Sequence, residues 1–386
     1  MSEIGIAKRI IKQLKENHYS AYLVGGVVRD FIMRKPFSDI DITTDATPPQ
    51  VMRLFKAVPT GIKYGTVTIL VENHKFEVTT FRQDGPSKDF RHPDSVIYSE
   101  DVKDDVSRRD FTMNGLLMDE NNEITDLVGG REDIRNRLIR TIGEPEERFQ
   151  EDALRILRAL YFQSKLGFVI DKNTRDAMRE KRHLLKEIAM ERVHAELLKI
   201  LKGKFLKIAL HSMIECQIDE LLPGLSKGIH FIEILDKMPY IDTFLTICFI
   251  LNDGIIPNEW PFSNQHRNKY KLASECAIKY PSIADSVGLY TYGLEICTLA
   301  NKANSYLGKT KYLEKKITVS YDLLPIKSEM DLAINSDEII ALMNKKAGAW
   351  LGQLKKELVL EILKNHIKND KEALKRYILG KQGKHE

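Results

Sequence analysis

Apolar and polar positions follow two different periods along this chain, and the change between them lies near residue 137. Before that point, short β-branched and aromatic runs with a two-residue period are mixed with helical patterns, which indicates strands beside helices. After Glu144 nearly every apolar stripe has the 3.6-residue period of a helix. The pattern predicts an α+β fold, with a small mixed-sheet head followed by an all-α remainder.

Local signals support the elements predicted from the periods. Glu72-Asn73-His74 lies between two strand-like runs and predicts a hairpin, and Thr47-Pro48-Pro49 predicts a capped helix start. Strands are predicted at 20–24, 38–43, 66–71 and 76–81. Helices are predicted at 5–17, from Gly26, from Thr47 to about Lys56, at 153–168, 173–188 and 191–201, and from about Ala349.

Composition narrows the class of protein. A chain of 386 residues can hold two to four domains, and 43% hydrophobic with 30% charged residues suits a soluble globular protein. No apolar run approaches membrane-spanning length, and the N-terminus has the pattern of an amphipathic helix rather than a signal peptide. Four cysteines, far apart in the sequence, predict buried thiols in the reducing cytoplasm: Cys216, Cys248, Cys276 and Cys297.

Charge is distributed unevenly over the chain. From Lys302 to Glu386 there are 17 basic and 11 acidic residues, a net charge of +6, while the whole chain has +4 and the remainder therefore −2. A basic C-terminal portion suggests a polyanionic partner. A solvated helical face with excess lysine explains the charge equally well.

The stretch from Leu23 to Asp41 contains the first candidate chemistry. Gly25-Gly26 follow an apolar run and open a helical pattern, so a turn and a helix N-terminus coincide. Backbone N–H groups there can receive a triphosphate, and Arg29 adds a fixed positive charge one turn later. Taken alone, a glycine pair before a helix is usually only a turn.

Two carboxylates follow in the sequence Ser38-Asp39-Ile40-Asp41-Ile42. In a strand, Asp39 and Asp41 point to the same face, where they repel each other unless a cation lies between them. Mg²⁺ is the natural candidate because it prefers oxygen ligands and substrate phosphates. A solvated strand face is the plainer interpretation, but phosphate and metal sites together form a nucleotidyl-transfer site. Glu77 is either a third acidic group there or, as favoured here, the partner of a basic residue.

The sequences GGVVRD, from Gly25, and DIDITTDATP, from Asp39, resemble the nucleotidyltransferase head of class II CCA-adding enzymes, the tRNA nucleotidyltransferases. The segment from Arg82 to Ser95 lacks periodicity and contains glycine, prolines and charges, which predicts a mobile loop. In the family, a flexible loop at this place is linked to the change from CTP to ATP. The residues that match its pattern are Arg82, Asp84, Gly85, Asp89, Arg91 and Pro93.

Arg108-Arg109-Asp110 is a dense group of charges at the edge of an apolar segment. A solvated charge cluster is one interpretation of it. The resemblance implies another, because the family's RRD motif contacts the ribose and so selects ribonucleotides. The turn from Asp126 to Gly130 corresponds to the family's hinge between head and neck.

Asp152, Arg155 and Arg158 are spaced three apart, which predicts that they share one face of a helix. A surface salt bridge is the plainer interpretation. The alternative is base recognition, since a carboxylate only accepts hydrogen bonds and a guanidinium only donates them. That pair complements the amino group and ring nitrogen of cytosine and adenine, while guanine and uracil present the opposite order and leave buried groups unpaired.

The segment EDALRILRALYFQSKLGF, from Glu151, resembles the family's EDxxR motif, with Tyr161 where family members commonly have a further arginine. Tyr161 is therefore a candidate for stacking on the nucleotide or bonding to it. The segment from Glu191 to Glu196 resembles the ERxxxE motif, which in the family braces the base-reading helix without touching substrate.

Resemblance over nearly the whole chain implies addition of C, C and A to the 3′ end of tRNA from CTP and ATP. It implies Mg²⁺ at Asp39 and Asp41 and a cytoplasmic enzyme. The implied domains are a catalytic head (1–137), a base-recognising neck (138–201), a body (202–305) and a tRNA-binding tail (306–386), through which homodimers form in related enzymes. The implied nucleotide-binding residues are Gly25, Gly26, Arg29, Arg109, Asp110, Asp152, Arg155, Arg158 and Tyr161.

Two other functions remain open from the sequence. A poly(A) polymerase or an enzyme that adds only A uses the same scaffold and a similar loop. A noncatalytic RNA-binding protein that keeps the fold belongs to a different class, and the intact Asp39, Asp41 and Arg29 argue against it.

Overall fold

A computed structural model describes residues 2–37, 39–84 and 96–382. The chain divides into two compact units, Met1–Leu222 and Pro223–Glu386. Of the predicted loop, Gly85, Asp89, Arg91 and Pro93 lie outside the described residues. Arg82 and Asp84 do not continue a loop: they lie in a short strand, Arg82–Asp84, paired antiparallel with Val96–Tyr98.

A seven-stranded mixed sheet forms the first part of the first unit. Its order is β3-β4-β5-β2-β1-β8-β9, and the neighbours are antiparallel except β2 and β5, which are parallel. The strands of the unit are β1 (Ala21–Val24), β2 (Asp41–Thr44), β3 (Ala57–Gly61), β4 (Thr66–Val71), β5 (His74–Thr80), β6 (Arg82–Asp84), β7 (Val96–Tyr98), β8 (Leu116–Met118), β9 (Ile124–Asp126), β10 (Leu138–Ile139) and β11 (Val169–Ile170).

Helices cover the sheet and continue the unit beyond it. Its α-helices are α1 (Glu3–Glu16), α2 (Gly26–Ile32), α3 (Pro48–Leu54), α4 (Val102–Ser107), α5 (Gly130–Asn136), α6 (Pro145–Glu151), α7 (Leu154–Leu166), α8 (Lys172–Lys181), α9 (Met190–Leu201) and α10 (Leu206–Glu215). Short 3₁₀ helices lie at Ile62–Tyr64, Thr112–Asn114, Arg182–Glu187 and Asp219–Leu221. The predicted fold class, a mixed-sheet head followed by helices, is confirmed.

Two local predictions for the head are confirmed in detail. The β4–β5 hairpin turns at Glu72 and Asn73, which have φ of 48° and 64°, the left-handed backbone that a tight hairpin turn requires. Thr47 forms a capping box with Gln50 at the start of α3, with Pro48 in its first turn. A third prediction needs correction: β2 begins at Asp41, so Asp39 precedes the strand.

The regular elements among the described residues of the second unit are all helices. Its elements are α11 (Ser226–Glu233), α12 (Ile241–Leu251), α13 (Asn264–Lys279), α14 (Ser286–Tyr306), α15 (Glu314–Asp322), α16 (Ser336–Met343), α17 (Ala349–Leu363) and α18 (Lys371–Gln382), with a 3₁₀ turn at Glu329–Asp331. The helix predicted from about Ala349 is confirmed: α17 begins at that residue and ends at Leu363, before Asn365, whose φ is 59°. α14 is bent at Gly293, whose φ of 74° interrupts the helical backbone.

All four cysteines are buried thiols, as predicted, although two of them meet in space. Cys276 on α13 and Cys297 on α14 place their Sγ atoms 3.9 Å apart inside the second unit. Over residues 2–37, 39–84 and 96–382, no helix is both long and apolar enough to cross a membrane. The predicted division into four domains stays a prediction.

Candidate active site

A cavity of about 1350 Å³ opens in the first unit and brings together residues that are far apart in the sequence. It receives side chains or backbone from α2, β2, β3, β4, β5, β6, α4, α6, α7 and α9. Every nucleotide- or metal-binding residue predicted from the sequence lines it: Gly25, Gly26, Arg29, Asp39, Asp41, Arg109, Asp110, Asp152, Arg155, Arg158 and Tyr161.

The glycine pair brings the backbone close to charged side chains that line the cavity. Gly25 caps α2 with φ of 81°, a left-handed conformation that other residues adopt only with strain. A β-carbon at Gly25 would lie 3.6 Å from Asp41 Oδ2 and 3.7 Å from an Arg109 nitrogen. Glycine therefore keeps the backbone close to both groups without filling the space between them.

Arg29 has a more constrained environment than the sequence suggested. The residue is only 2% exposed, and its guanidinium donates to Asp30 Oδ1 at 2.8 Å and to Asn114 Oδ1 at 2.7 Å. Phe162 packs against it, with 5.3 Å between the guanidinium carbon and the ring centroid. Arg29 therefore joins α2 to the segment around Asn114, and its predicted contact with a triphosphate stays a prediction.

Three carboxylates face the cavity beside the glycine pair. Asp41 at the start of β2 pairs in register with Glu77 on the parallel strand β5, and Asp39 lies exposed two residues earlier. Burial raises the pKa of Asp41; Arg109 opposes this shift, and the charges of Glu77 and Asp39 add to it. Glu77 therefore lies beside Asp41, and its role near a metal stays a prediction.

These carboxylates match the donors that Mg²⁺ accepts. Within the described part of the chain, no three His, Cys, Asp or Glu side chains are grouped closely enough to hold a metal on their own. Mg²⁺ commonly binds through one or two carboxylates, several waters and the substrate's phosphates, and does not need a complete protein cage. The acidic, partly buried position of Asp41 beside Asp39 fits such a site.

Asp105 was not identified from the sequence, yet it anchors the RRD segment. It is fully buried, receives 2.6–2.8 Å contacts from Arg108 and Arg109, and accepts a 2.9 Å hydrogen bond from the Thr43 hydroxyl. Burial alone would raise its pKa, but Arg109 and Arg108 hold the pKa of Asp105 at about 2. The i, i+3 and i, i+4 spacing to two arginines was the available signal. The segment is therefore not a solvated cluster.

Replacing Asp105 by alanine should lower the free energy of unfolding by about 3 kcal/mol at pH 7, because both arginines lose a buried partner. The carboxylate stabilises the fold fully above pH 4, and this contribution is lost as the pH falls through the folded-state pKa of about 2. Urea unfolding at pH 7 and pH 2.5 measures the difference between the variant and the parent. Glu123→Gln, at an exposed carboxylate near the same sheet, is the matched control.

A constant difference between pH 7 and pH 2.5 would contradict this role for the Asp105 charge. The difference should instead shrink at the lower pH, where the parent has also lost part of the ion pair.

Asp110 and Arg158, both predicted nucleotide contacts, bind each other. Arg158 donates twice to Asp110 Oδ2, at 2.9 and 2.5 Å, and Asn114 donates to the other oxygen at 3.0 Å. Despite burial, these partners lower the pKa of Asp110, and Asp110 in turn raises that of Arg158. The pair fastens α7 to the RRD segment at the edge of the cavity.

The prediction that Asp152, Arg155 and Arg158 share one helix face is wrong for Asp152. The helix is broken there: α6 ends at Glu151, and Asp152 has extended backbone, with φ of −146° and ψ of 100°. Its carboxylate accepts a hydrogen bond from the backbone N–H of Leu154, at the start of α7, a local bond that competes with a continuous helix.

The two candidate base readers differ in how they are held. Arg155 donates at 2.8 Å to both Glu151 and the Arg148 carbonyl oxygen, and at 3.0 Å to the Arg108 carbonyl oxygen. Asp152 lies 3.5 Å from Arg192, which belongs to the predicted bracing motif on α9. Burial raises the pKa of Asp152, and Arg192 and Arg155 oppose this shift.

Three protein-family models match successive parts of this chain. Residues 21–140 match the family model described as "Poly A polymerase head domain". Residues 167–229 match "Probable RNA and SrmB- binding site of polymerase A", and residues 250–378 match a model of tRNA nucleotidyltransferase domain 2. The CCA-adding enzyme of Bacillus cytotoxicus is 36% identical over 96% of this chain and 97% of its own length. This chain belongs to the CCA-adding enzymes.

Other family members are also similar to this chain over nearly its whole length. The CCA-adding enzyme of Bacillus subtilis is 34% identical over 96% of each chain. The crystal structure of the Bacillus stearothermophilus CCA-adding enzyme in complex with CTP superimposes with a TM-score of 0.83 at 30% identity, covering 100% of this chain and 99% of that one.

A more distant member supports the fold alone. The Thermotoga maritima CCA-adding enzyme complexed with tRNA gives a TM-score of 0.63 at 19% identity, with 98% and 95% of the two chains covered. Membership in the family confirms the predicted reaction class: the chain is a nucleotidyltransferase that adds CCA to tRNA.

Proposed function

We propose that the cavity of the first unit is where C, C and A are added, without a nucleic-acid template, to the 3′ end of tRNA from CTP and ATP. The RNA 3′-oxygen forms a bond to the α-phosphorus, and the bond between the α-phosphorus and its bridging oxygen breaks to release pyrophosphate. The main support is that eleven predicted site residues from separate parts of the sequence line this one cavity.

Asp39 and Asp41 are proposed to hold Mg²⁺. One ion bound there would lower the pKa of the RNA 3′-hydroxyl, and a second would neutralise charge on the leaving pyrophosphate. Glu77 adds negative charge next to Asp41 and favours a cation at this position. Arg109 adds a fixed positive charge beside Gly25 and Asp41.

Gly25, Gly26 and Arg29 are proposed to form the triphosphate side of the site. The glycine pair allows phosphate oxygens to approach backbone N–H groups, and Arg29 holds α2 in place through Asp30 and Asn114. Arg109 and Asp110 are proposed to lie on the ribose side. Because Asp110 is fastened to Arg158, ribose contact and the position of α7 depend on the same ion pair.

Asp152 is proposed as the group that accepts a hydrogen bond from the amino group of cytosine or adenine. Arg155 is proposed to donate to the neighbouring ring nitrogen. Asp152 lies between α6 and α7. Its carboxylate lines the cavity and lies near Arg192. Three hydrogen bonds hold the Arg155 guanidinium, so its N–H groups point in defined directions.

The predicted tail, 306–386, and the adjoining body are proposed to bind tRNA. The basic charge of residues 302–386 supports this, as do two tyrosines of the second unit, Tyr240 and Tyr312, which are 79% and 42% exposed. Lys302 lies 5.4 Å from the ring centroid of each. A cation beside exposed aromatic rings suits the looped bases of a folded RNA.

The same tail is proposed to form a homodimer in the cytoplasm. Leu323 and Met330 are 77% and 93% exposed, which provides apolar surface for a second copy. Sedimentation at micromolar concentration tests this proposal, since a single species of one chain mass would contradict it. The four-domain division, with boundaries at 137, 201 and 305, is retained as part of the proposal.

A comparison of RNA substrates separates this function from poly(A) polymerase activity. We expect extension of a tRNA that lacks CCA and little extension of an unstructured oligonucleotide, because the proposed tail contacts require a folded tRNA. Long adenosine tracts on the oligonucleotide would contradict CCA addition and support the polymerase alternative. Binding of the tRNA without any incorporation would support a noncatalytic protein.

A further inference from the structure

One wall of the cavity carries an aromatic ring with two lysines beside it, and the contacts proposed above for the incoming nucleotide do not use this group. Tyr161 and Lys165 lie on α7, and Lys199 lies on the neighbouring helix α9. The Nζ atoms of both lysines are 5.8 Å from the centroid of the Tyr161 ring, and all three residues line the cavity. We call these three residues the Tyr161 ledge.

The ledge differs from the aromatic residue beside it. Phe162 is 6% exposed, and the guanidinium carbons of Arg29 and Arg158 lie 5.3 and 5.4 Å from its ring centroid. Tyr161 is half-buried, Lys165 is exposed, and the Lys199 side chain is 52% exposed. Phe162 is therefore part of the packing, whereas the ledge offers an accessible ring with movable cations around it.

The reaction requires more than one ligand in this cavity. An incoming nucleotide is accounted for by the proposed triphosphate, ribose and base contacts. The 3′ end of the RNA must also enter, since its hydroxyl has to reach the α-phosphorus. A volume of about 1350 Å³ exceeds the roughly 300–1000 Å³ of pockets that hold one small ligand, which leaves room for a terminal nucleotide.

The chemistry of the ledge suits that terminal nucleotide. In CCA addition the RNA ends first in the tRNA's own last base and afterwards in C, so the contact has to tolerate different bases. Stacking on an aromatic ring is tolerant in this way, because every base has a π-face, and lysines bind the backbone phosphate. We propose that Tyr161 stacks on the 3′-terminal base of the RNA while Lys165 and Lys199 bind the phosphate of that nucleotide. This inference rests on the proposed function.

Replacing Tyr161 by leucine tests the stacking. We expect the KM for a tRNA lacking CCA to rise about tenfold or more, with the KM for CTP nearly unchanged. Tyr161→Phe keeps the ring and should retain a KM for RNA within about twofold of the parent. Fluorescence anisotropy of a labelled acceptor-stem minihelix, without nucleotide, should show the same order of affinities.

The salt dependence of kcat/KM for RNA tests whether the lysines bind the phosphate. Lys165→Ala should make the slope of log(kcat/KM) for RNA against log salt concentration shallower by about 0.7, the value for one phosphate contact on a single strand. Lys202→Ala, at an exposed lysine just after α9, is the control and should leave the slope unchanged. Lys165 is preferred to Lys199, whose loss would also leave the buried Glu196 without its 2.9 Å partner.

Three results would overturn the inference. A raised KM for CTP with an unchanged KM for RNA would place the ring on the incoming nucleotide. Equal losses in Tyr161→Leu and Tyr161→Phe would assign the effect to the hydroxyl group instead of stacking. Unchanged KM values for RNA and CTP in Tyr161→Leu would show that the Tyr161 ledge does not bind the RNA. Failure of the parent protein to extend tRNA at all is a separate result, which would contradict the proposed function.

Discussion

Replacing Asp41 by asparagine is expected to reduce nucleotide incorporation in Mg²⁺ by at least about a thousandfold, because several kcal/mol of charge stabilisation are lost. The asparagine side chain would keep the shape of the aspartate but not its charge, and β2 would remain paired with β1 and β5 through the backbone. The same result is expected for Asp39→Asn, since both carboxylates face the cavity.

Affinity for tRNA should change little in either variant. RNA is proposed to be held by cations of the second unit and by the Tyr161 ledge, and both are retained in these variants. Anisotropy with labelled tRNA measures affinity, and a single-turnover assay with CTP measures incorporation. Glu123→Gln, which removes an exposed carboxylate in the same unit, serves as the control. Near-normal turnover of either variant in Mg²⁺ would show that the metal is held elsewhere.

Asp152→Ala is expected to change the choice of base by about a hundredfold or more. Cytosine and adenine lose the acceptor for their amino groups, while uracil and guanine lose a repulsive contact with their carbonyl oxygens. Each of these effects is about 1–3 kcal/mol, and they act in the same direction on the ratio. Arg155 stays in place through Arg148, Glu151 and Arg108 and remains a donor to any base.

Incorporation of each of the four nucleotides onto tRNA measures this change in base choice. Asp152→Asn is a useful second variant, since it preserves size and can still accept a hydrogen bond from the Leu154 N–H. If activity fell in both variants while the ratio of CTP to UTP use stayed at the parent value, Asp152 would be structural. Its contact with Arg192 would then explain the loss.

Local signals in the sequence were sufficient for much of the head. The hairpin at Glu72–Asn73 and the capped start of α3 depend on residues adjacent in the chain, and both form as predicted. The position of Glu77 could not be obtained in this way. It faces Asp41 because β5 pairs in parallel with β2, a strand more than thirty residues earlier, and such pairing is decided by tertiary packing.

The candidate site was predicted in its residues more completely than in its geometry. Spacing alone treated Asp152 to Arg158 as one continuous helix, although aspartate often competes for backbone N–H groups and ends helices. Asp105 was missed because its importance depends on full burial against Arg108 and Arg109, which the charge pattern does not reveal. Arg29 likewise gained its partners Asp30 and Asn114 through the fold.

The most direct measurement of the central claim uses a tRNA that ends at the base before CCA, with defined nucleotides and mass determination of the products. CTP alone should give addition of two cytidines, and CTP with ATP should give two cytidines and one adenosine, after which extension stops. UTP and GTP should give almost no product. Repeated adenosine addition from ATP alone, or no extension with CTP in the presence of Mg²⁺, would contradict CCA addition by this chain.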